Sequence, residues 1–529
     1  MKNVLKKITL LALSIAILFG CTDDFEDMNK NPLATTTLSP ELVFPYVTWK
    51  ATNINWETYQ LGDNLGANLW AQYLANTSTG FTTDRYMYTD GFVNPGLWSP
   101  HFLDVVKNKK VVEADIENYP HSVYTYQLLR IMTAYSTAKV TDLFGDIPYF
   151  EAGTGVQKPK YDSQKDIYYD LFKELTESAQ ILSSGLQGQK DFKSADFIYN
   201  GDIQKWVKFA NSLRLRLAIH ISFVDPGKAK QEGEAALAAG VMGSNNESAT
   251  IYTNNADWNS LGYPLITISH WNEFRVSKTL VDLLEKSGTV ADPRLPLYIG
   301  KTKNFVTKGE GPAYKGMANG LPADQFTTAG NTLNEISNVH GLMFLPDWNL
   351  NGIDQSGVWI TKRYPVMLYS EVCFLKAEAA LLGWNGAGDA KTNYEEGIRS
   401  SFAYSREGIA TDVLDLTQDE TYITTGAVAW SAAADYETKL KQIITQKYIA
   451  LFPNGNEAWT EYRRTGYPVF NAIVRSDDPD LKPGEIIKKI RYTDSERRNN
   501  PENASDPSLN GGKGDGQNVR VWWDTNRSK

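Results

Sequence analysis

Cysteine is scarce in this sequence, which has only Cys21 and Cys373 among its 529 residues. Two cysteines exclude the disulfide-rich scaffolds that stabilise small secreted domains. The chain is long and 42% hydrophobic, so a large buried core can stabilise it instead. Cys373 lies among apolar residues, and we expect it to be buried as a small hydrophobic side chain rather than to act as a nucleophile.

The sequence also lacks an excess of basic residues. Its 53 Lys and Arg residues are outnumbered by 62 Asp and Glu residues, which gives a formal net charge of −9. Proteins that bind nucleic acids usually carry a basic stripe, so we expect no nucleic-acid partner. The acidic balance argues equally against binding to anionic lipid headgroups by charge. Beyond the first twenty residues, no apolar run is long enough to predict a membrane-spanning helix.

Sequence signatures of catalysis and cofactor binding are missing too. The chain has no His-Glu-x-x-His or Gly-x-Ser-x-Gly motif, and its five His residues show no ligand spacing. Gly512, Gly514 and Gly516 neither follow a predicted strand nor precede a predicted helix, so they are not a dinucleotide-binding motif. Asp515 could join a calcium site, although a turn near the C-terminus is the simpler interpretation. We expect no cofactor and no enzymatic activity, but a glycosidase carboxylate pair stays open because acids are abundant.

The N-terminus carries features of an exported lipoprotein. Residues 1–20 combine three Lys with a short apolar stretch, as in a secretion signal, and their removal lowers the net charge to −12. The following Leu-Phe-Gly-Cys resembles a bacterial lipobox, in which the cysteine, here Cys21, is lipidated through its nucleophilic thiolate. Several acyl chains on one residue would anchor the protein to a membrane. Residues 21–40 are rich in acids, and we interpret them as an extended tether.

From residue 41 to 529, helical periodicity dominates, and we predict one mostly α-helical domain. The periodic segments are Tyr124–Leu143, Asp166–Leu182, Ile203–Ile221, Val366–Leu382, Lys391–Phe402 and Glu437–Leu451. Short polar turns separate several of them into pairs, as in tetratricopeptide-like hairpins. Three long loop-rich tracts, 76–100, 241–275 and 300–363, interrupt the helices. Long irregular segments with many aromatic residues favour a binding role over a plain linker.

Four motifs in the mature chain resemble the SusD/RagB family of outer-membrane lipoproteins, in particular its SusD-like nutrient-binding branch. They span most of the mature chain in the family's order. The motifs are TDLFGDIPYFEA at 141–152, NGD at 200–202 with KW at 205–206 and FANSLRLR at 209–216, LYSEV at 368–372 with KAEA at 376–379, and QKYIALF at 446–452 with EAW at 457–459 and YRRTGYP at 462–468. The residues alone favour a structural role for these motifs, because charges in packed helices need partners.

The resemblance implies a SusD-like fold, in which tetratricopeptide-like hairpins support a loop-rich ligand face. It also implies a non-catalytic protein at the cell surface of a Gram-negative bacterium of the Bacteroidota type. Such proteins capture an oligosaccharide nutrient, or in some relatives a peptide, and deliver it to a SusC-type TonB-dependent transporter. Glycan binding is therefore our first hypothesis; a peptide-binding member and a surface glycoside hydrolase remain alternatives.

The family's shared motifs do not contain its ligand-binding residues, so candidates must come from the loops. A tryptophan flanked by amides and acids suits a sugar, which needs a stacking face and nearby hydrogen bonds. Trp258 with Asn259, and Trp348 with Asn349, have this setting. The further candidates are Trp271, Tyr73, Phe81 and Tyr86, with Tyr88 in the same loop. For each ring, the alternative is that it attaches its own loop to the helical body.

Overall fold

The computed structural model describes residues 38–251, 261–286, 289–339, 363–409 and 414–527. Residues Ser39–Lys529 form one compact unit. None of the helices in the described part of the chain combines the length and hydrophobicity that a membrane-spanning segment needs. Cys21 and the rest of the predicted signal and tether up to residue 37 lie outside the described residues.

Eleven helices of nine or more residues form the scaffold of the described chain. In chain order they are α1 (Pro40–Thr52), α2 (Lys107–Asp115), α3 (Val123–Phe144), α4 (Gln164–Leu182), α5 (Ile203–His220), α6 (Pro226–Ala239), α7 (Lys278–Lys286), α8 (Tyr369–Leu381), α9 (Ala390–Ser405), α10 (Tyr436–Leu451) and α11 (Gly455–Thr465). Shorter helical turns join them, including the wide π-helical turns Gln60–Ala67, Asn94–Trp98 and Pro100–Val106.

Six short strands form three separate antiparallel pairs. The strands are β1 (Leu74–Asn76), β2 (Ile147–Pro148), β3 (Tyr161–Asp162), β4 (Ala249–Ile251), β5 (Phe274–Val276) and β6 (Tyr364–Met367). The pairs are β1 with β5, β2 with β3, and β4 with β6. β1–β5 and β4–β6 join segments that are far apart in the sequence, so they tie the loop-rich tracts to the helical body.

Polar residues in the sequence determine where many helices begin. The residue before each of these helices accepts a hydrogen bond from a backbone N–H of the first turn, which would otherwise lack a partner. Ser163 accepts from Asp166 N and Asp202 accepts from Lys205 N. The same caps are formed by Asp225, Asp389, Asp435 and Asn454. Each cap is readable from the sequence, which is why helix starts are among its best-determined features.

Consecutive helices pack against each other to build the core. α3 packs on α4, α4 on α5 and α5 on α6, while α8 packs on α9 and α10. Around α8, α9 and α10 the buried side chains form one apolar cluster that includes Phe374, Tyr394, Ile398 and Ile443. This succession of helical pairs agrees with the predicted tetratricopeptide-like arrangement.

All six predicted helices match the structure within three residues at each end, but the predicted start of one of them is a strand. The periodicity predicts a helix from Val366, but Tyr364–Met367 is strand β6 and the helix starts at Tyr369. Pairing with β4 overrides the local pattern here, since a short apolar run fits a strand as well as a helix. Gly383 has a φ of 69° just after the helix, a conformation that is common for glycine where helices end.

The C-terminal segment packs back onto the helical body. Trp523 is fully buried, and its indole Nε1 donates to Asp142 Oδ1 at 2.7 Å. Asp146 accepts from the backbone N–H groups of Gln164 and Asn510 at 2.8 and 2.6 Å. Both donors come from other segments of the chain rather than from the turn that contains Asp146.

Asp515, the residue weighed as a calcium ligand, forms ion pairs instead. Its carboxylate lies 2.5 Å from Lys489 Nζ and 3.0 Å from Arg497 NH2, and it accepts from the backbone N–H of Tyr492. Lys489 and Arg497 thus neutralise the negative charge of the carboxylate, on which calcium binding would depend. The carboxylate holds the C-terminal turn in place.

Candidate functional site

Strand pairing brings two of the predicted loops together. β1 and β5 pair with Leu74 opposite Val276 and Asn76 opposite Phe274. Beyond this pair, Thr77 N donates to Glu273 O at 3.0 Å, and Thr77 Oγ1 donates to Asn272 O at 2.7 Å. The loop after β1 therefore lies directly beside the residues before β5. We call the surface formed by residues 76–81 and 271–273 the loop face.

The first half of the loop face is held by one asparagine. Asn76 Nδ2 donates to Ser78 O at 2.9 Å and to Phe81 O at 2.6 Å, and Asn76 Oδ1 accepts from Ser78 N. Asn76 is buried, so these bonds close the loop from beneath. The Phe81 ring packs edge-on against Phe92 at 5.3 Å, and it remains half-buried. A loop closed in this way is already ordered before a ligand arrives.

The second half of the loop face is a turn that presents Trp271 to solvent. Trp271 is 53% exposed, whereas most aromatic side chains in the described part of the chain are buried. The next residue, Asn272, adopts a φ of 62°, a conformation that asparagine tolerates better than most residues. Arg275 NH2 donates to Asn272 Oδ1 at 2.9 Å, and Arg275 NH1 donates to Ser269 O at 3.1 Å. Arg275 thus fixes the turn that places Trp271 outward.

Burial shifts the pKa values of two titratable groups at the loop face. Burial lowers the pKa of Arg275 to about 10, because its guanidinium has lost water while its hydrogen bonds go to neutral oxygens. Burial also raises the pKa of Glu273, which the side-chain amide of Gln60 partly offsets by donating to both carboxylate oxygens at 2.9 and 2.7 Å. Gln60, Glu273 and Arg275 were not candidates in the sequence. Glu273 and Arg275 follow Trp271 closely in the chain, whereas Gln60 reaches the site through its hydrogen bonds to Glu273.

Two of the candidate aromatic residues belong to the core. Tyr73 is fully buried with its ring 4.6 Å from that of Tyr448, and its hydroxyl donates to the Tyr448 carbonyl. Tyr86 is only 4% exposed. Neither ring offers a face to a ligand from solvent, so for both the structure supports the alternative that the ring holds its own loop to the body. Both faces of β1 are covered, since Leu74, Ala75 and Asn76 are buried as well.

The two strongest sequence candidates fall in segments that flank one strand pair. Trp258, Asn259, Trp348 and Asn349 lie outside the described residues. Ile251, which precedes the first segment, pairs with Tyr364, which follows the second. The described ends of these two tracts are therefore neighbours, although the residues are more than a hundred positions apart. Their role in binding stays a prediction.

A small polar cavity lies where Tyr59, Tyr364 and Leu261 meet the helical body. Its volume is about 40 Å³, and Asp63, Lys139 and Asn456 also line it. Asn456 Nδ2 donates to Asp63 Oδ1 at 2.6 Å, whereas its own Oδ1 is buried without a hydrogen-bond partner among the described residues. A cavity of this size and polarity suits ordered water and is too small for a sugar.

Next to this cavity, His220, Glu457 and Glu461 place ligand atoms within 4.8 Å of one another, a spacing that could suit a metal ion. The ammonium group of Lys447 already supplies the positive charge that a metal ion would bring. Lys447 Nζ lies 3.1 Å from Glu457 Oε1 and 3.0 Å from Glu461 Oε1, and Lys447 is buried with them. Three buried groups plus this ammonium form an ion-pair network. The cluster fits a structural role better than a metal centre.

The family comparison bears on the whole chain. The sequence model of the family described as SusD-like, "Susd and RagB outer membrane lipoprotein", matches residues 24–524. The chain belongs to the SusD/RagB family. No curated protein sequence matches it.

Solved structures of SusD homologues are similar over almost the entire chain. A SusD homologue from Bacteroides uniformis is 26% identical with a TM-score of 0.77, over 92% of this chain and 99% of that one. A chitin-binding SusD homologue from Flavobacterium johnsoniae is 30% identical with a TM-score of 0.75, over 91% and 99%. A SusD homologue from Parabacteroides distasonis is 26% identical with a TM-score of 0.77, over 92% and 98%.

These matches confirm the mostly α-helical SusD-like fold that the sequence predicts. The structure also explains why the shared motifs are structural. Arg216 forms a bidentate pair with Glu371 at 2.7 and 2.6 Å, and Arg214 pairs with Glu232. Arg216 Nε also lies 3.7 Å from Glu457 Oε2, so residues of three SusD-like motifs meet in one buried network. The family description as outer membrane lipoproteins agrees with the predicted signal and lipobox.

Proposed function

We propose that this protein captures a neutral oligosaccharide at the loop face and delivers it, uncleaved, to a SusC-type TonB-dependent transporter. In this proposal a lipid anchor on Cys21 holds the protein at the outer membrane, facing outward. The single observation that carries the binding site is Trp271, a half-exposed indole fixed in place beside the polar residues Asn272 and Thr77. Stacking on such a ring with hydrogen bonds at its edge suits a sugar.

The comparisons support the ligand class. A family member that is 30% identical and matches 91% of this chain is described as chitin-binding, and a second one, 28% identical, is too. Oligomers of N-acetylglucosamine are therefore the first probes to use. Trp258 and Trp348 are proposed as further stacking residues on the basis of their sequence setting alone.

Replacing Trp271 with alanine should weaken binding without unfolding the protein. Removing one stacking ring is expected to cost about 1–2 kcal/mol of binding free energy, or roughly five- to thirtyfold in Kd. The thermal midpoint should hardly change, because the side chain is 53% exposed. Calorimetric titration with chitohexaose, other neutral oligosaccharides and peptides measures the affinity.

The matched control is Phe150→Ala. Phe150 is 49% exposed and lies after β2, outside the loop face, so its removal should leave the affinity unchanged. Unchanged binding in Trp271→Ala would remove the loop face as the site. Binding of peptides alone would replace the glycan hypothesis, and release of shorter sugars during incubation would contradict a non-catalytic role.

The two cysteines allow a clean test of the anchor. Cys21→Ser should move the protein from the membrane fraction to the soluble fraction, because a hydroxyl cannot replace the thiolate in lipidation. Cys373→Ala is the control, since Cys373 is buried and burial raises its pKa to about 12. That variant should stay in the membrane fraction, as the wild type does. A Cys21→Ser protein that still sediments with membranes would rule out lipidation at this residue.

A further inference from the structure

A second concavity lies at the end of α11, among residues that do not belong to the loop face. Its volume is about 640 Å³, within the roughly 300–1,000 Å³ typical of small-molecule sites. Its aromatic wall consists of Tyr462, Tyr467 and Phe470, and residues 484–486 line it as well. Arg527 and Glu437 also line it. We call it the Tyr467 pocket.

The aromatic wall of this pocket is held rigidly. The Tyr462 and Phe470 rings stack in parallel, with centroids 3.7 Å apart and an interplanar angle of 8°. Behind them, Gln72 Nε2 donates to Asn471 O at 2.8 Å, and Asn471 N donates to Thr279 Oγ1 at 3.1 Å. The loop that carries Tyr467 and Phe470 is thus attached to the body at several points. A rigid wall binds with a smaller loss of conformational entropy than a mobile loop.

The charges around the pocket favour a neutral ligand. Glu437 and Glu485 contribute two negative charges, and Arg527 contributes one positive charge. Arg527 NH2 donates to Glu437 Oε1 at 2.5 Å, and the Tyr467 hydroxyl donates to Glu437 Oε2 at 3.2 Å. A phosphate or carboxylate ligand would meet a net negative surface, so an anion is disfavoured.

Two features point to a sugar among neutral ligands. Glu485 lines the pocket, and its carboxylate can accept hydrogen bonds from the hydroxyl groups of a ligand. Val469, which lines the pocket, is 67% exposed and offers an apolar surface next to the aromatic wall. Sugar rings match this mixture, since they present apolar C–H faces and a rim of hydroxyl groups.

We propose that the Tyr467 pocket is a second saccharide-binding site, which takes a neutral sugar separately from the loop face. The choice of ligand class rests on the proposed function, whereas the location rests on the pocket alone. Two sites on one chain would let a long glycan bind at both, which strengthens overall binding by effective concentration.

The test uses two valines of the same loop. Val469→Arg places a long cation within the pocket, where it should displace a sugar and reduce that site's affinity at least tenfold. Val474→Arg is the matched control, because Val474 is 49% exposed but does not line the pocket. Ala472→Arg, at another exposed lining position, repeats the test independently. The thermal midpoint of each variant shows whether it folds.

Calorimetric titration of the full-length protein with short chitooligosaccharides and maltooligosaccharides gives the number of sites. We expect two sites in the wild type and in Val474→Arg, but one in Val469→Arg. If the wild type has a single site, and Trp271→Ala weakens binding there but Val469→Arg does not, this inference is overturned and the proposed function stands. A single site lost only in Val469→Arg would support the pocket and overturn the loop face. Absence of saccharide binding in the wild type would overturn both.

Discussion

The Arg464→Met variant should lose about 3–5 kcal/mol of unfolding free energy, the largest effect that we expect from any single substitution here. Arg464 is fully buried in α11. Its guanidinium donates to both carboxylate oxygens of Glu378 at 2.7 Å, and to Glu461 Oε2 at 2.6 Å. Methionine preserves much of the volume but leaves two buried carboxylates without this cation. Those uncompensated charges, rather than lost packing, are the reason for the large effect.

An exposed pair of the same chemistry provides the control. Arg399 also donates to both oxygens of a glutamate, Glu420, at 2.9 and 2.8 Å. Its side chain is 39% exposed and that of Glu420 is 64% exposed, so water replaces the lost partner. Arg399→Met should therefore change the unfolding free energy by only about 0–1 kcal/mol. Urea unfolding of both variants measures the difference, and equal losses would show that burial does not decide the strength of these pairs.

The second large effect concerns pH. Burial by itself would lower the pKa of His220, but Glu457 and Asp142 outweigh it and raise the pKa from 6.5 to about 9. His220 Nε2 lies 3.1 Å from Glu457 Oε1, and Nδ1 lies 3.1 Å from the Tyr168 hydroxyl and 3.4 Å from Asp142 Oδ2. Protonated imidazole can donate from both nitrogens to these acceptors. His220 is therefore cationic in the folded protein at neutral pH.

The sign of the pH dependence follows from this raised pKa. The folded protein holds the proton more tightly than the unfolded chain, so His220 stabilises the fold fully below about pH 6.5. That contribution disappears as the pH rises through about 9, and it amounts to roughly 3 kcal/mol. We expect the unfolding free energy to fall between pH 6.5 and 8.

Lys488 and His101 limit the pH range in which the effect of His220 on the unfolding free energy can be measured. Burial lowers the pKa of Lys488 to about 8, so above that pH its deprotonation favours the fold and opposes the effect of His220. Burial also lowers the pKa of His101 to about 3, so below pH 6.5 protonation of His101 in the unfolded chain reduces stability. Between pH 6.5 and 8 the slope therefore reports mainly His220.

Urea unfolding of His220→Gln across this window is the measurement. Glutamine can donate a hydrogen bond but does not titrate, so the variant should be less stable at pH 6.5 and show a flatter profile. His121→Gln is the control, because His121 is exposed and outside the network. It should keep the wild-type slope. A wild-type stability that does not decrease from pH 6.5 to 8 would contradict a protonated His220.

Local sequence patterns predict much of the helical scaffold. Capping residues such as Ser163, Asp202 and Asp435 mark helix starts because their side chains bond to backbone groups only three residues away. Helical periodicity places Trp206 and Phe209 in the core, where both are fully buried. The start of α8 shows the limit of this approach, since pairing of β6 with β4 depends on a partner more than a hundred residues away.

The candidate site is only partly predictable for the same reason. Trp271 stands out in the sequence as an aromatic residue in a polar loop, and the structure leaves it half-exposed. Tyr73 and Tyr86 have a similar sequence setting but are buried. Burial depends on packing against α10 and other distant segments, which no local pattern encodes. Gln60 is 213 residues from Glu273 in the sequence and joins the site only through the tertiary structure.

The sequence by itself determined the helical class, most of the helix starts, the acidic balance and the family resemblance, because each follows from residue type or from spacing within a few turns. Only the tertiary structure decided which charges neutralise one another, which rings face solvent and where cavities form. Glu378 and Arg464, for example, are 86 residues apart and meet at 2.7 Å. Such meetings arise from the packing of whole helices, in which one residue's surroundings depend on every neighbouring element.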